Sequence, residues 1–343
     1  MISEVKGNSM ANHNGTTLSN YVSNGRVNGH GAPALHYSWQ LERGSTVGVA
    51  LHAATRRIKG SGIDTPKLDS ELMLGHVLGW TRTQLYTHMD RPLDDMEREA
   101  FEQLVERRLA YEPVAYLVGQ KFFYGLDLFV DRRVLIPRPE TELLVDLALD
   151  IIMQADQSAA RASYSNDSDR AHSEAPVRVA DVGTGSGAVS LAIAANTRAA
   201  AVYGIDISAD ALAVAHANAQ RHQLHDRVEF LHGDLLEPLT DPVDLIVANL
   251  PYIALHEWDD LAPDIAQFEP SLALSGGADG LGVIRRLIEQ APSRLRPGGM
   301  ILMEIGANQG GAVALLTREQ FPDAFVEVVT DYAYHDRIVR VQT

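Results

Sequence analysis

The sequence contains no cysteine, fewer basic than acidic residues, and no long apolar run. Without cysteine, disulfides, thiolate zinc sites and cysteine nucleophiles are all excluded. No apolar stretch approaches the roughly 20 residues that span a bilayer, and the N-terminus lacks the basic-then-apolar layout of a signal peptide. We therefore expect a cytoplasmic protein that makes no contact with a membrane.

The charge balance narrows the class of partner. Lys and Arg number 29 against 45 Asp and Glu, so the formal net charge is −16. General nucleic-acid binding depends on Lys and Arg that neutralise phosphates, and this charge disfavours it. The negative net charge is compatible with a protein partner that is locally basic. The 343 residues, 45% of them hydrophobic, suffice for two domains with separate cores.

The first third of the chain divides into a polar tail and a helical region. Residues 1–35 are rich in Asn, Gly, Ser and His, and we expect them to be a disordered tail. Residues 36–118 carry apolar residues at helical spacing, which predicts a domain of four helices. Such a domain could recognise a substrate or be a purely structural appendage. Ser45 is the expected cap of the first helix, and Thr81 with Gln84 fits a capping box for the third.

The histidines near the N-terminus, His13, His30 and His36, could form a loose metal site. Solvated side chains in a polar tail are the simpler interpretation. We expect no metal in this protein.

The remainder of the chain changes from helical to mixed patterning. Residues 119–136 predict a β-hairpin that joins the two domains. Strand and helix patterns alternate over residues 137–343, which predicts an α/β domain with a parallel sheet. Residues 155–175, rich in Ser, Ala and Asp, are an expected flexible insertion in that domain. The predicted strands cover 177–182, 201–206, 228–231, 245–248, 300–304, 324–330 and 338–341.

A glycine-rich turn follows the first of these strands, with the sequence Gly183-Thr184-Gly185-Ser186-Gly187. Glycines let the backbone approach a ligand closely, and the amides at the start of the next helix are free to bind it. The third glycine comes one residue too early for a dinucleotide fingerprint, and no Gly-Lys-Ser/Thr follows. The turn therefore favours a cofactor without a pyrophosphate, although a tight turn alone would explain the glycines.

Two carboxylates follow the next two predicted strands. Asp206 can accept hydrogen bonds from both hydroxyls of a ribose, and Asp234 can accept one from an adenine amino group. Because the carboxyl ends of parallel strands meet at one edge of a sheet, these groups and the glycine turn predict an adenosine pocket. S-adenosylmethionine is the ligand that fits it best.

The segment Asn249-Leu250-Pro251-Tyr252 follows the fourth predicted strand. An amide nitrogen is a poor nucleophile because its lone pair is delocalised into the carbonyl. The side-chain oxygen of Asn249 and the main-chain carbonyl of Leu250 can accept from the two N–H groups of such an amide and favour a tetrahedral nitrogen. Tyr252 can stack on the amide plane, while Pro251 stiffens the turn. The segment predicts methyl transfer to a planar NH2 group.

With these motifs the chain resembles the release factor glutamine methyltransferase family, class I S-adenosylmethionine enzymes with an Asn-Pro-Pro-Tyr motif. The resemblance runs from about residue 45 to the C-terminus. The segment Ile136-Pro137-Arg138-Pro139-Glu140-Thr141-Glu142 is the most specific part of it. Further matching segments are 112–119, 268–270 and 276–281.

The resemblance implies a Rossmann-like sheet with a small N-terminal helical domain. It also implies that the acceptor is the glutamine of the Gly-Gly-Gln loop in peptide chain release factors, held by Asn249 through Tyr252 and converted to N5-methylglutamine. The implied residues for the methyl donor are Gly183, Thr184, Gly185, Ser186, Gly187, Asp206, Asp234, Leu235 and Asn249. Arg138, Glu140 and Glu142 either shape the cleft or are only the charged start of a helix.

Two residues depart from the family pattern. Leu250 replaces the first proline of the motif, and we expect activity to survive because only a main-chain carbonyl is used there. Tyr334 stands where the family often has glycine. Three alternatives stay open: a ribosomal-protein glutamine methyltransferase, a DNA or RNA adenine N6-methyltransferase, and a non-catalytic cofactor-binding module. We expect a monomer that acts on release factors without contacting nucleic acid directly.

Overall fold

The computed structural model describes residues 39–164 and 175–343, without the side chains of 159–164. The expected tail 1–35, the three histidines His13, His30 and His36, and residues 165–174 of the expected insertion lie outside the described residues. The chain divides into two compact units, with the boundary between Val118 and Gly119. Among the described residues, no helix combines the length and the apolar character needed to cross a membrane.

The described part of the N-terminal unit is helical. Its helices are α1 Val47–Lys59, α2 Pro66–Leu78, α3 Arg82–Thr87, α4 Asp95–Leu109 and α5 Val114–Val118. The first four agree with the predicted set, whereas the one-turn helix α5 was not expected. Their apolar faces bury a core that includes Ile58, Met73, Leu85 and Phe101. These buried residues form a hydrophobic cluster of their own.

The helix caps of this unit agree with prediction at α3 and differ at α1. Thr81 and Gln84 form the expected capping box of α3. Helix α1 is capped by Thr46, whose side chain accepts from the Val49 amide, and the expectation of Ser45 is wrong. The Ser45 amide donates instead to the Glu42 carbonyl, at 3.0 Å, in a turn that precedes the helix. Two adjacent hydroxyl residues left the cap ambiguous in the sequence.

The second unit opens with an antiparallel hairpin of strands β1 Gln120–Phe123 and β2 Leu126–Phe129. Its helices are α6 Glu142–Tyr164, α7 Ala188–Asn196, α8 Ala209–Arg221, α9 Pro263–Phe268, α10 Gly282–Gln290 and α11 Gly310–Gln320. Its remaining strands are β3 Val177–Val182, β4 Ala200–Asp206, β5 Val228–His232, β6 Val243–Asn249, β7 Ile253–Ala254, β8 Ser275–Gly277, β9 Leu295–Glu304, β10 Phe325–Thr330 and β11 Asp336–Gln342.

Among the described residues, seven strands form the main sheet, in the order β10-β11-β9-β6-β3-β4-β5. Strand β11 runs antiparallel to its neighbours and the other six run parallel. Strands β4 and β5 extend the sheet on one side of β3, while β6 and β9 extend it on the other. The chain therefore reverses direction across the sheet between β3 and β6, which is where open α/β sheets bind ligands. The expected α/β fold is confirmed.

Alternating side chains of the central strands pack into two hydrophobic layers, one on each face of the sheet. Val179 of β3 and Leu245 of β6 pack into one layer, and Ala180 and Ile246, their neighbours in sequence, pack into the other. Both faces of these strands are buried, as is typical of parallel strands, and β3 pairs with β6 with Val182 opposite Ala248. The residues that follow β3 and β6 are thereby placed side by side.

Helix α6 extends further than the sequence predicted. Residues 155–164, expected within a flexible insertion, continue this helix from Glu142 to Tyr164. The polar composition of the segment misled the prediction, since residues 153–158 are exposed and a solvent-facing turn needs no apolar residues. Its alanines are also strong helix formers.

Tyr334, in the turn between β10 and β11, adopts a left-handed backbone with φ of 65°. A non-glycine residue costs ~1–2 kcal/mol in this conformation, of which the extra flexibility of unfolded glycine offsets ~0.5–1. Tyr334→Gly is therefore expected to raise the free energy of unfolding by about 0.5–1 kcal/mol. Denaturant titration measures the change. Tyr332→Gly, at an equally exposed tyrosine in the same turn, is the matched control, and equal effects at both positions would contradict the explanation.

Candidate functional site

A cavity opens at the carboxyl edge of the main sheet, at the reversal between β3 and β6. The residues that follow four neighbouring strands line it: Gly183 and Gly185 after β3, Asp206 to Ser208 after β4, Gly233 to Leu235 after β5, and Asn249 to Pro251 after β6. Pro270, Leu272, Val283 and Arg286 also line it. The structure thus gathers most of the predicted site residues around one space.

The glycine turn packs directly against the Asn249 segment. Gly183 has φ of 76°, and a Cβ atom built there would lie 3.0 Å from Leu250 Cδ2 and 3.6 Å from the Asn249 carbonyl oxygen. A side chain at this position would be strained by both the backbone and the contact. Glycine is therefore needed for the close approach of the two predicted motifs.

The Asp181 carboxylate, near the end of β3, stabilises the conformation of the glycine turn. One of its oxygens, Oδ2, accepts from Thr184 Oγ1 at 2.6 Å, Ser190 Oγ at 2.6 Å and the Ser190 amide at 2.9 Å. Burial raises the pKa of Asp181, while these three bonds act in the opposite direction. Thr184, Ser186 and Gly187 are not among the residues that line the cavity. The Thr184 hydroxyl is turned toward Asp181, the Ser186 carbonyl accepts from Asn218 Nδ2 at 2.9 Å, and a Cβ at Gly187 would lie 3.2 Å from Ala215 Cβ. These three residues therefore shape the turn.

Asp206 lies at the end of β4 and lines the cavity. Its two carboxylate oxygens accept from the amides of Gly185 and Ser208, each at 2.9 Å. Burial raises the pKa of Asp206, and the hydrogen bonds from Ser208 and Gly185 counter that rise. Each oxygen has a second lone pair available for a ligand hydroxyl. The carboxylate therefore connects the glycine turn to the position expected for a ribose.

Asp234 pairs with Arg286, and both residues line the cavity. No sequence pattern indicated this partner, because Arg286 lies within helix α10, far along the chain. Leu235, the next residue, is buried with φ of 53°, an uncommon conformation for a leucine. Such strained residues often occur where a binding loop is tightly held.

The Asn249 side chain is fixed by one hydrogen bond that sets its orientation. Its Nδ2, at the end of β6, donates to Thr141 Oγ1 at 3.0 Å. Thr141 immediately precedes α6, and 107 residues separate it from Asn249 in the sequence. The carboxamide then presents Oδ1 as its acceptor. Thr141 is buried and belongs to the specific segment 136–142. This hydroxyl was not among the predicted site residues.

The turn after Asn249 is held by Gln309, at the start of α11. Gln309 Nε2 donates to the Tyr252 carbonyl at 2.9 Å, and its Oε1 accepts from the Gly306 amide at 2.9 Å. Tyr252 is half-buried, and burial raises the pKa of its hydroxyl with a smaller contribution from nearby Glu304. Tyr252 is not among the residues that line the donor cavity.

The predicted charged residues of segment 136–142 are not among the residues that line the donor cavity. Arg138 pairs with the buried Glu269, which also accepts from the Ile136 amide at 3.1 Å. Glu142 accepts from the Tyr124 amide at 2.9 Å, while Glu140 is exposed. These contacts join the segment to neighbouring loops of the same unit, so that Thr141 faces Asn249.

Glu304 ends β9 in direct register with Asn249 of β6. The residue is 2% exposed, and its Oε2 has no hydrogen-bond partner among the described residues. Burial raises the pKa of Glu304 to about 7, against smaller opposing effects from Thr141 and Arg337. Glu304 ends a strand predicted from the sequence, in which no pattern indicated a role for it.

The raised pKa predicts a pH-dependent stability. An acid whose pKa is higher in the folded state contributes no penalty below its unfolded pKa, 4.5, and an increasing penalty as pH rises through about 7. Between pH 5.5 and 8.5 this penalty should grow by about 2 kcal/mol. We expect Glu304→Gln to gain about that much relative to the wild type over this range. Denaturant titration at both pH values measures the difference, and the same gain in the exposed Glu327→Gln control would contradict it.

No group of three or more His, Asp or Glu side chains in the described chain could hold a metal ion.

Comparison with known proteins supports an assignment to a family. Residues 49–119 match a family described as the PrmC N-terminal domain, and residues 173–333 match a methyltransferase domain. The chain is 41% identical over 280 residues to the release factor glutamine methyltransferase of Chlorobaculum tepidum, covering 80% of this chain and 90% of that protein. The chain belongs to the release factor glutamine methyltransferase family.

Other members show a similar extent of identity. The Caulobacter vibrioides enzyme of that name is 39% identical over 291 residues, 84% of this chain and 94% of that protein. The Bacillus cereus enzyme is 37% identical over 272 residues, 78% of this chain and 90% of that protein. The resemblance noted from the motifs is confirmed, and with it the methyltransferase class.

Proposed function

We propose that this chain methylates the side-chain amide nitrogen of the glutamine in the Gly-Gly-Gln motif of peptide chain release factors, with S-adenosylmethionine as methyl donor. The observation that carries the proposal is the orientation of Asn249. Its Nδ2 is bound by Thr141, so its Oδ1 is the acceptor beside the cavity formed by the glycine turn. Family membership supplies the class of acceptor.

The cavity suits an adenosine-containing donor. Asp206 offers free lone pairs for ribose hydroxyls, and Asp234 and Leu235 line the part of the cavity that we assign to the adenine. The walls include apolar side chains such as Ile207 and Leu272. Bound S-adenosylmethionine supplies a methyl group on a positively charged sulfur, which makes a metal or a strong base unnecessary.

Asn249 and Leu250 prepare the acceptor nitrogen. Asn249 Oδ1 and the Leu250 carbonyl accept from the two N–H groups of the glutamine amide and favour a tetrahedral nitrogen with an available lone pair. Methyl transfer from the donor would exchange its C–S bond for an N–C bond to this nitrogen, whose surplus proton would pass to solvent. Acceptors positioned in this way are worth ~3–4 kcal/mol each in the transition state. Because Leu250 contributes only its carbonyl, the replacement of proline is compatible with activity.

The substrate assignment is tested with labelled S-adenosylmethionine and purified release factors. Mass spectrometry should locate one added methyl group on the glutamine of Gly-Gly-Gln. A release factor with that glutamine changed to glutamate is the matched control and should stay unlabelled. Label on nucleic acid, or on a ribosomal protein alone, would overturn the assignment. A monomer acting in the cytoplasm, without direct contact to nucleic acid, stays our prediction.

A further inference from the structure

Helix α10 contacts the loop after β5 with two polar side chains, and the proposed transfer uses neither of them. Arg286 pairs with the Asp234 carboxylate, and Gln290 Oε1 accepts from the Leu236 amide at 2.9 Å. Residues four apart lie on the same side of a helix, so both side chains face this loop. One contact engages a side chain that lines the donor cavity, and the other engages the backbone next to it.

The loop and the helix are both fixed by burial. In the loop, Leu235 and Leu236 are buried, and Leu235 has a positive φ. In α10, Ile284 and Leu287 are fully buried in the same hydrophobic layer as the two leucines. The separation of the loop from the helix is therefore set by the core, and the polar contacts join two well-packed parts of the unit.

The Asp234 side chain is the part of this loop that burial does not fix. It is 28% exposed, and without a partner it could rotate about its two side-chain torsions. The hydrogen bond from Arg286 Nη2 to Asp234 Oδ2 selects one orientation before a ligand binds. The guanidinium is 49% exposed, so this ion pair contributes little to the stability of the fold. It preorganises the carboxylate, whose remaining lone pairs then have a fixed direction when the donor enters.

We propose that Arg286 is a positioning residue that makes Asp234 selective for the amino group of the donor's adenine. The inference deepens the proposed function and rests on it, because it takes the cavity to be the donor site. An adenine amino group donates to a correctly oriented carboxylate. Hypoxanthine has a carbonyl oxygen at the same carbon, which would meet the carboxylate as acceptor against acceptor and be rejected. The effect of Arg286 is expected in donor affinity and not in kcat.

The first test compares Arg286→Gln with the wild type by calorimetry, using S-adenosylhomocysteine and S-inosylhomocysteine as ligands. The variant should bind S-adenosylhomocysteine about 10-fold more weakly, since the carboxylate that accepts from its amino group is no longer oriented. The Kd of S-inosylhomocysteine should change by less than about 3-fold, so the preference for adenine falls. An equal loss for both ligands would indicate a merely structural role and overturn the proposal. Unchanged or tighter binding of S-adenosylhomocysteine would overturn it as well.

Arg285→Gln is the matched control. Arg285 is the preceding residue of α10, pairs with Asp279 at 2.9 Å, and is not among the residues that line the cavity. Both Kd values should equal those of the wild type in this variant. Arg286→Lys keeps the positive charge without the planar fork and should retain part of the preference. A loss of preference in Arg285→Gln as large as that in Arg286→Gln would contradict a specific role of Arg286.

A double-mutant cycle tests whether Arg286 acts through Asp234. Asp234→Ala should weaken the binding of S-adenosylhomocysteine by about 10-fold or more, and adding Arg286→Gln should cause little further loss. Independent, multiplying losses would overturn the proposal. At saturating donor, kcat of Arg286→Gln on a purified release factor should stay within a few-fold of the wild type, and a fall in kcat with unchanged donor affinity would contradict the assignment. If the wild type itself fails to bind S-adenosylhomocysteine, the proposed function is wrong instead, so the two failures are distinguishable.

Discussion

Replacing Asn249 with alanine is expected to reduce kcat for methyl transfer to a release factor by about 1,000-fold. The change removes Oδ1, one of two acceptors that favour the reactive nitrogen geometry, and leaves the main-chain carbonyl of Leu250 in place. The loss of one such group in a preorganised site costs ~2.7–4 kcal/mol of transition-state stabilisation. The effect should appear in single-turnover measurements, which isolate the chemical step.

Donor binding should survive this substitution, even though the resemblance places Asn249 among the donor residues. Gly183, Gly185, Asp206 and Asp234 line the same cavity and are unchanged. Calorimetry with S-adenosylhomocysteine should give a Kd within a few-fold of the wild type. Asn196→Ala, at an exposed asparagine that ends α7, is the matched control and should be fully active. Normal turnover at saturation, with affinity for the donor lost, would show that Asn249 serves only the cofactor.

Replacing Asp206 with alanine is expected to raise the Kd of the methyl donor by about 100-fold or more. Hydrogen bonds to a charged acceptor are worth ~1.5–3 kcal/mol each, and a ribose offers two hydroxyls to this carboxylate. The same substitution leaves the amides of Gly185 and Ser208 without their partner, which loosens the glycine turn. Both effects weaken the ground-state complex.

Methyl transfer within the bound complex should be little affected by Asp206→Ala. At saturating donor, kcat is expected to stay within about 10-fold of the wild type, because the acceptors of the glutamine amide are intact. Asp210→Ala removes an exposed carboxylate from the first turn of α8 and serves as the control. Calorimetry that finds unchanged donor affinity in Asp206→Ala would remove this residue from the pocket.

Local sequence patterns predicted the parts of the site that belong to strand ends. The apolar runs before Gly183, Asp206 and Asn249 identified buried strands, and parallel pairing then required their ends to meet. The charge, the spacing and the glycine pattern then indicated the class of ligand. These inferences needed only periodicity and the chemistry of single side chains.

What the sequence could not supply was pairing across long separations. Thr141 and Glu304 meet Asn249 from opposite directions along the chain, and Arg286 reaches Asp234 from a distant helix. No local period encodes such contacts. Helix α11 was also missed, because it begins with Gly310-Gly311, a dipeptide that is typical of turns.

The central claim is that two oxygens at the end of β6 hold the substrate amide beside the donor. The most direct test is a structure of this protein with S-adenosylhomocysteine and a release factor bound together. We expect the glutamine amide nitrogen within about 3 Å of both Asn249 Oδ1 and the Leu250 carbonyl, facing the sulfur. Nδ2 of Asn249 should still donate to Thr141. A glutamine bound elsewhere, or Asn249 turned to present Nδ2 to it, would contradict the account.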